Sequence, residues 1–214
     1  MSSNNNEEDM TDISSKYNDE FVLVIDTETT GLPPRYVDIT NTEKWNKCRI
    51  VQIAWEVLDL NGNIISSECY IIKPNGFDIP TVASNIHGIT TEIANEKGID
   101  IDIAFNRLES IINGNIKTIV AHNMQFDDAV IQSEIYRQIR YSKNNDSLNN
   151  LYDKWRYMTK ECTMLMGCTK PGQKWPKLVE LYKTCFNKEP VGNLHQADVD
   201  VRACAEIYFH LKKQ

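Results

Sequence analysis

Residues Val22–Leu32 read VLVIDTETTGL, and this stretch decides the fold. Its first four residues are apolar without interruption, as in a strand that is buried on both faces of a sheet. Side chains alternate along a strand, so Asp26 and Glu28 face the same side with their Cα atoms roughly 6.5 to 7 Å apart. Two carboxylates at that separation can share a hard divalent cation. The alternative is a strand end at which one acid caps the backbone and the other lies on the surface.

The composition is that of one globular domain. The chain has 214 residues, of which 41% are hydrophobic and 25% charged, which suffices for a core of its own. No apolar run approaches the roughly eighteen residues of a membrane span, and the polar, acidic N-terminus has no signal-peptide or transit-peptide pattern. We expect a disordered acidic leader over residues 1–19, a folded domain over residues 20–214, and no membrane partner.

The six cysteines include no CxxC pair. This favours reduced thiols over disulfides or a zinc site. We therefore expect a cytoplasmic or nuclear protein that is not secreted.

The net charge of -7 is unevenly distributed along the chain. Residues 137–188 carry eleven basic and four acidic side chains. Such a block could follow a phosphate backbone and stack bases on its aromatic residues, which are Tyr141, Tyr152, Trp155, Tyr157, Trp175 and Tyr182. Solvated helix faces with their own core aromatics explain the block equally well.

Hydrophobic periodicity predicts three strands followed by alternating helices and strands. The strands are expected over 21–26, 49–58 and 64–72, with a hairpin turn at Asn61–Gly62. Helical periodicity begins near Thr81, and the later elements are helix 101–112, strand 118–122, helix 123–140, strand 160–164, helix 176–186 and helix 196–212. This order predicts an α/β fold in which helices flank a mixed sheet. Residues 141–151 are expected to form a polar loop, and the long connection over 33–47 is typical of functional or mobile loops.

A second motif, VAHNMQFDDAVI, joins the fourth strand to the following helix. Asn123 is placed as the N-cap, so Asp127 lies one turn into the helix and can face back toward the strand end. Asp128 lies about 100° further round the helix and is expected to be exposed. In isolation, either acid would simply favour the first helical turns through the helix dipole.

A third motif, LHQADVDVRACAE, opens the last helix. His195 and Asp200 are five residues apart, whereas Asp198 lies about 200° from Asp200 around the axis and is interpreted as a capping or exposed acid. A histidine beside bound metal ions could accept a proton from water, because its pKa is near neutrality. A lone histidine at such a position is otherwise a surface residue.

Together, DTE (26–28), HNMQFD (122–127) and HQADVD (195–200) resemble the DEDDh branch of the proofreading-type 3′-to-5′ exonucleases, in that family's order and at its usual separations. HGIT (87–90) also resembles the segment that such proteins carry between their third strand and first long helix. The resemblance runs from residue 21 to about residue 211. It implies a ribonuclease H-like fold with a five-stranded sheet, an antiparallel meander followed by parallel strands.

The resemblance also implies an activity, namely hydrolysis of phosphodiester bonds at 3′ ends of DNA or RNA with release of nucleoside 5′-monophosphates. Two Mg²⁺ or Mn²⁺ ions would be held by Asp26, Glu28, Asp127 and Asp200, with His195 as the general base. Electrostatics agrees independently, because four acids in one pocket cannot all stay ionised unless cations neutralise them.

Further residues acquire expected roles from the resemblance. Backbone at Thr29 and Thr30 would receive the 3′ end, Gly31 would let the chain approach the last nucleotide, and Leu32 would wedge against its base. Asn123 and Phe126 would shape the site. Ordinary core packing is the alternative for Leu32 and Phe126. No chemistry is assigned to the remaining histidines, His87, His122 and His210.

Three functions are compatible with these motifs. The first is the active exonuclease, with single-stranded ends preferred because unpairing a terminal nucleotide costs a few kcal/mol. The second is a catalytically silent nucleic-acid-binding or docking module, although a binding surface has no use for four acids that repel phosphate. The third is a ribonuclease H-like endonuclease, which needs neither His195 nor the HNMQFD spacing. A homodimer is also possible.

Overall fold

The computed structural model describes residues 20–141, 146–168, 170, 172–192 and 195–213. The acidic leader expected over 1–19 lies outside these residues, as do 142–145 of the expected polar loop. Both expectations therefore stay predictions for those positions.

A mixed five-stranded sheet with strand order β3-β2-β1-β4-β5 forms the centre of the described chain. The strands are β1 (Phe21–Thr29), β2 (Ile50–Asp59), β3 (Ile64–Ile71), β4 (Ile116–Ala121) and β5 (Thr159–Cys162). The first three form an antiparallel meander, and β4 and β5 run parallel to β1. The α/β architecture inferred from the sequence is confirmed.

Helices cover both faces of this sheet. They are α1 (Thr81–His87), α2 (Thr91–Lys97), α3 (Ile101–Ile112), α4 (Met124–Tyr141), α5 (Asp146–Tyr157), α6 (Thr163–Met166), α7 (Leu178–Phe186) and α8 (Ala197–Lys212), and a 3-10 helix (Lys44–Lys47) lies in the long connection over 33–47. Within the described ranges, no helix is long and apolar enough to cross a membrane.

Alternate side chains of β1 pack into two separate hydrophobic cores, one on each face of the sheet. Leu23 and Ile25 lie in the larger core with side chains of α3, α4 and α5, whereas Val22 and Val24 pack with α8 on the opposite face. Because both faces of β1 are buried, its sequence is a continuous apolar run rather than an alternating one.

The sequence predicts that β1 ends at Asp26, but the strand continues to Thr29. It does so because β2 keeps pairing along its other side, with Glu28 opposite Gln52. Pairing with β4 stops at Val24. Both acids therefore lie inside a strand whose β4 side has become open, and the start of α4 fills that side.

The segment expected as a polar loop over 141–151 is largely helical, since Tyr141 closes α4 and α5 begins at Asp146. Leu148, Leu151 and Trp155 are its buried residues. Their spacing of three and four residues forms a narrow apolar stripe that packs against the core. The loop prediction was wrong because it rested on the average composition of the segment, in which polar residues outnumber these three apolar ones.

Candidate active site

All five residues predicted as metal ligands or base line one cavity of about 220 Å³, at the end of the sheet where β1 and β4 stop pairing. Its lining consists of Asp26, Thr27, Glu28, Thr29, His122, Asn123, Phe126, Asp127, Leu178, His195 and Asp200. Four parts of the chain meet there, namely β1, the β4–α4 junction, the first residue of α7 and the start of α8.

The carboxylate of Asp127 is held by β1. Its Oδ1 accepts hydrogen bonds from the backbone N–H of Thr27 at 3.0 Å and from the Thr27 hydroxyl at 2.8 Å. The N–H is available because β4 no longer pairs with this part of β1. Sequence reasoning missed Thr27, and the only signal was a hydroxyl residue between two acids, which does not reveal its partner.

The carboxylate of Asp200, at the start of α8, is held by the backbone on one side only. One oxygen of Asp200, Oδ2, accepts a hydrogen bond from the backbone N–H of His195 at 3.1 Å. The other, Oδ1, is buried and has no hydrogen-bond partner among the described residues. A buried oxygen without a donor is costly, so Asp200 is suited to binding a cation through Oδ1.

The electrostatics of the cavity disfavours four ionised acids. Burial, and then the charge of Asp200 and Asp127, raises the pKa of Glu28 to about 8. Burial raises the pKa of Asp127 to about 7, although the two Thr27 hydrogen bonds oppose this shift. The pKa of Asp26 is raised well above its usual value by burial and the three neighbouring carboxylates. Burial also raises the pKa of Asp200. A divalent cation would remove this repulsion.

The donor set fits such a cation. Glu28, His195 and Asp200 each offer one ligand atom, and these three atoms lie within 4.8 Å of one another. Carboxylate oxygens are the donors that Mg²⁺ and Mn²⁺ prefer. Of these three residues, His195 is the exposed one.

Two lining residues have left-handed backbone, Asn123 with φ 68° and His195 with φ 64°. Asn123 immediately precedes α4, as expected for its N-cap, and its carbonyl oxygen accepts a hydrogen bond from the backbone N–H of Phe126 at 2.8 Å, although its backbone is left-handed and not the usual extended form. Left-handed backbone outside glycine is uncommon and clusters at functional sites. Here it turns the chain sharply just before Asp127 and Asp200.

The two acids that were set aside differ in their surroundings. Asp198 is exposed, as expected. Asp128 was expected to be exposed but is partly buried, because its Oδ1 accepts a hydrogen bond from Trp155 Nε1 at 2.7 Å and lies 3.6 Å from Lys160 Nζ. The cause is α5, the helix that the sequence prediction lacked.

His122, to which the sequence assigned no chemistry, lines the cavity but has a structural role. Its Nε2 lies 3.1 Å from the carbonyl oxygen of Pro176 and must carry the proton, because a carbonyl can only accept. Its Nδ1 then accepts from the hydroxyl of Thr163 at 2.9 Å. Burial lowers the pKa of His122, which favours this neutral form. The ring thus ties β4 to the chain that precedes α7.

The predicted substrate residues divide into two groups. Thr29, Asn123 and Phe126 line the cavity, whereas Thr30, Gly31 and Leu32 are not among its lining residues. Leu32 is 81% exposed, so core packing does not explain it. A Cβ at Gly31 would lie 2.9 Å from the carbonyl oxygen of Lys47, so the neighbouring connection is itself a reason for glycine there.

Comparisons with known proteins identify the family to which the chain belongs. The family model described as "RNase_T: Exonuclease" matches residues 23–208. DNA polymerase III subunit epsilon of Rickettsia felis is 28% identical over 192 residues, covering 88% of this chain and 72% of that protein. The corresponding subunit of Buchnera aphidicola is 30% identical over 140 residues, covering 64% of this chain and 54% of that protein.

Solved structures show the same fold. Escherichia coli Exonuclease I in complex with a dA16 oligonucleotide superposes with a TM-score of 0.66 at 22% identity over 91% of this chain. Exonuclease I from Methylocaldum szegediense superposes with a TM-score of 0.65 at 20% identity over 91% of this chain. The chain spans 41% of the length of each of these structures. The family match over residues 23–208 shows that the chain belongs to the exonuclease family, as a DEDD-type 3′-to-5′ exonuclease domain.

Proposed function

We propose that this protein is a metal-dependent exonuclease that hydrolyses the last phosphodiester bond at the 3′ end of a single strand and releases a nucleoside 5′-monophosphate. The observation that carries the proposal is the convergence of four carboxylates from three chain segments on one cavity. Their pKa values are raised, to about 8 for Glu28 and about 7 for Asp127. An acidic cluster of this kind suits bound cations and does not suit direct contact with phosphate.

In this proposal, Asp26, Glu28, Asp127 and Asp200 hold two Mg²⁺ or Mn²⁺ ions. Such a pair supplies Lewis acidity, which polarises the scissile phosphate, activates water and stabilises the leaving oxygen. Thr27 keeps one oxygen of Asp127 fixed through two hydrogen bonds. The backbone N–H of His195 fixes one oxygen of Asp200 and leaves its second oxygen available.

His195 acts as the general base in the proposed reaction. His195 is exposed, and its ring nitrogen lies within 4.8 Å of carboxylate oxygens of Glu28 and Asp200. A base at that position can accept the proton of the attacking water as the bond to phosphorus forms. The exposed ring can then pass the proton to solvent.

We infer that single-stranded DNA is the first substrate to test. A cavity of about 220 Å³ has no room for a base pair, and a duplex end would have to unpair at a cost of a few kcal/mol. The relatives reported above include DNA polymerase III epsilon subunits and an Exonuclease I bound to an oligodeoxynucleotide. RNA remains the alternative substrate in the same assay.

We propose the cytoplasm as the compartment, because all six cysteines are free thiols and the relatives named above are bacterial. The possible homodimer stays a prediction, which sedimentation of the purified protein would test.

The proposed activity is tested by digesting 5′-labelled single-stranded DNA, duplex DNA and RNA with Mg²⁺, Mn²⁺ or EDTA. We expect a ladder that shortens from the 3′ end with either metal ion and no cleavage with EDTA. Asp200→Asn should abolish the ladder without changing the circular dichroism spectrum. Asp198→Asn, which alters an exposed acid two residues away on the same helix, is the matched control.

Other outcomes of this assay would reject the proposal. Internal cuts would indicate an endonuclease. Binding of the strand without any cleavage would indicate the catalytically silent module. Full activity of Asp200→Asn would remove the metal assignment.

A further inference from the structure

The segment that precedes α7, residues 172–177, has the sequence GQKWPK and lies against the acidic cavity. The carbonyl oxygen of Pro176 is 3.1 Å from Nε2 of His122, and His122 lines the cavity. Leu178, the first residue of α7, lines the cavity as well. The backbone on both sides of Lys177 is therefore held at the site.

Trp175 immediately precedes the anchored proline, so its Cα is about 3.8 Å from that of Pro176. Its side chain is 62% exposed. The other three tryptophans, Trp45, Trp55 and Trp155, are at most 2% exposed and belong to the core. Core packing therefore accounts for every tryptophan except the one beside the cavity.

Two lysines flank this indole in the chain. Lys174 and Lys177 form no side-chain ion pair with any other described residue closer than 4.0 Å. The nearby acid Glu180 accepts a hydrogen bond from the backbone N–H of Lys177. Residues 172–177 contain no acid. The segment thus offers positive charge beside a cavity whose own carboxylates repel phosphate.

Tyr157, another exposed aromatic residue of the basic block over 137–188, lacks this placement. Tyr157, which is 83% exposed, lies with Gly114 and Ile116 at the start of β4. Five residue steps along β4 separate Ile116 from Ala121, which is about 16 Å. Tyr157 therefore lies at the opposite end of β4 from the acidic cavity.

We propose that Trp175, Lys174 and Lys177 form a binding platform for the nucleotides on the 5′ side of the scissile bond. The indole stacks on a base of the strand, and the two lysines contact its phosphates. Stacking on an aromatic ring does not depend on which base is present. Replacing the aromatic residue by alanine typically weakens binding about 5- to 150-fold per base. The platform deepens the proposed function and rests on it, because it presumes that a single strand ends in the cavity.

The test compares wild-type protein with Trp175→Ala, Trp175→Phe and Tyr157→Ala on single-stranded oligothymidylate. We expect Trp175→Ala to raise KM about 5- to 150-fold with little change in kcat. Trp175→Phe should recover most of the loss, and Tyr157→Ala should behave as wild type. The inhibition constant of thymidine 5′-monophosphate, which fills only the terminal pocket, should not change in any of these variants.

Abasic oligonucleotides locate the stacked base. Strands with one abasic position, second, third or fourth from the 3′ end, are compared in wild type and in Trp175→Ala. At the stacked position, removing the base should weaken wild type but not the variant further, because both changes delete the same contact. Replacing Lys174 and Lys177 by alanine should lower the slope of log KM against log salt concentration by about 1.4, or roughly 0.7 per phosphate contact.

An unchanged KM for Trp175→Ala would overturn the platform, and so would additive losses at every abasic position. A parallel rise in the inhibition constant of thymidine 5′-monophosphate would show instead that Trp175 only supports the terminal pocket. If the wild type bound oligothymidylate without releasing nucleotide, the proposed function would fail. Fluorescence anisotropy of the same variants in EDTA would still decide whether Trp175 binds the strand.

Discussion

The hydroxyl of Thr27 offers a sharp test of the proposed metal site. The change is Thr27→Val, which keeps the shape of a side chain that is 5% exposed. It removes the 2.8 Å hydrogen bond to Asp127 Oδ1 but leaves the 3.0 Å bond from the backbone N–H. Thr27→Ser retains the hydroxyl and is the matched control.

A hydrogen bond to a charged group contributes about 1.5 to 3 kcal/mol. The Thr27 hydroxyl bonds the ionised form of Asp127, so its loss should raise the pKa of Asp127 further above about 7. A metal ion needs the ionised carboxylate, and 1.4 kcal/mol corresponds to a factor of ten. We therefore expect Mn²⁺ affinity near pH 7 to fall about 10-fold or more, with a smaller deficit at higher pH where Asp127 is ionised in both proteins.

Isothermal titration with Mn²⁺ at several pH values measures this directly, and the Mn²⁺ concentration for half-maximal nuclease activity gives a second reading. Thr27→Ser should stay close to wild type. Equal Mn²⁺ affinities of Thr27→Val and wild type across the pH range would refute the reasoning that Thr27 positions a metal ligand.

Three further predictions concern other parts of the molecule. His195→Gln should lower kcat strongly while changing Mn²⁺ affinity much less, and an unchanged kcat would remove the role as base. Metal binding at pH 7 should release protons, because the pKa of Glu28 is raised to about 8 and the carboxylate is largely protonated without metal. Affinity should accordingly fall as pH drops below about 8, and titration in buffers of different ionisation enthalpy that showed no proton release would contradict this. Glu134→Ala should destabilise the fold by about 3 to 5 kcal/mol in urea unfolding, because Glu134 forms a buried ion pair with Arg49 whose loss leaves that cation unpaired. A decrease in unfolding free energy of less than about 1 kcal/mol would show that water solvates the Arg49 side chain in the variant.

Much of the fold could be predicted from periodicity. The continuous apolar run of β1, the alternation in β2 and the amphipathic α3 all appear where the sequence places them. Helix α5 was missed because polar residues outnumber its three buried ones. Its apolar stripe stabilises a helix only when it packs against the core, which the local sequence does not show. The length of β1 was missed for a related reason, because a strand ends where its neighbours stop pairing.

The sequence singled out four acids and a histidine as partners because their three motifs together resemble one exonuclease family, whereas each motif alone also has an ordinary structural explanation. Only the tertiary structure decided how they are held. Neither the hydrogen bonds from Thr27 to Asp127 nor the anchoring of Pro176 by His122 is local in sequence. Such contacts join residues 100 and 54 positions apart. Local pattern carries no information about partners at that separation, because they meet only once the sheet and its helices have packed.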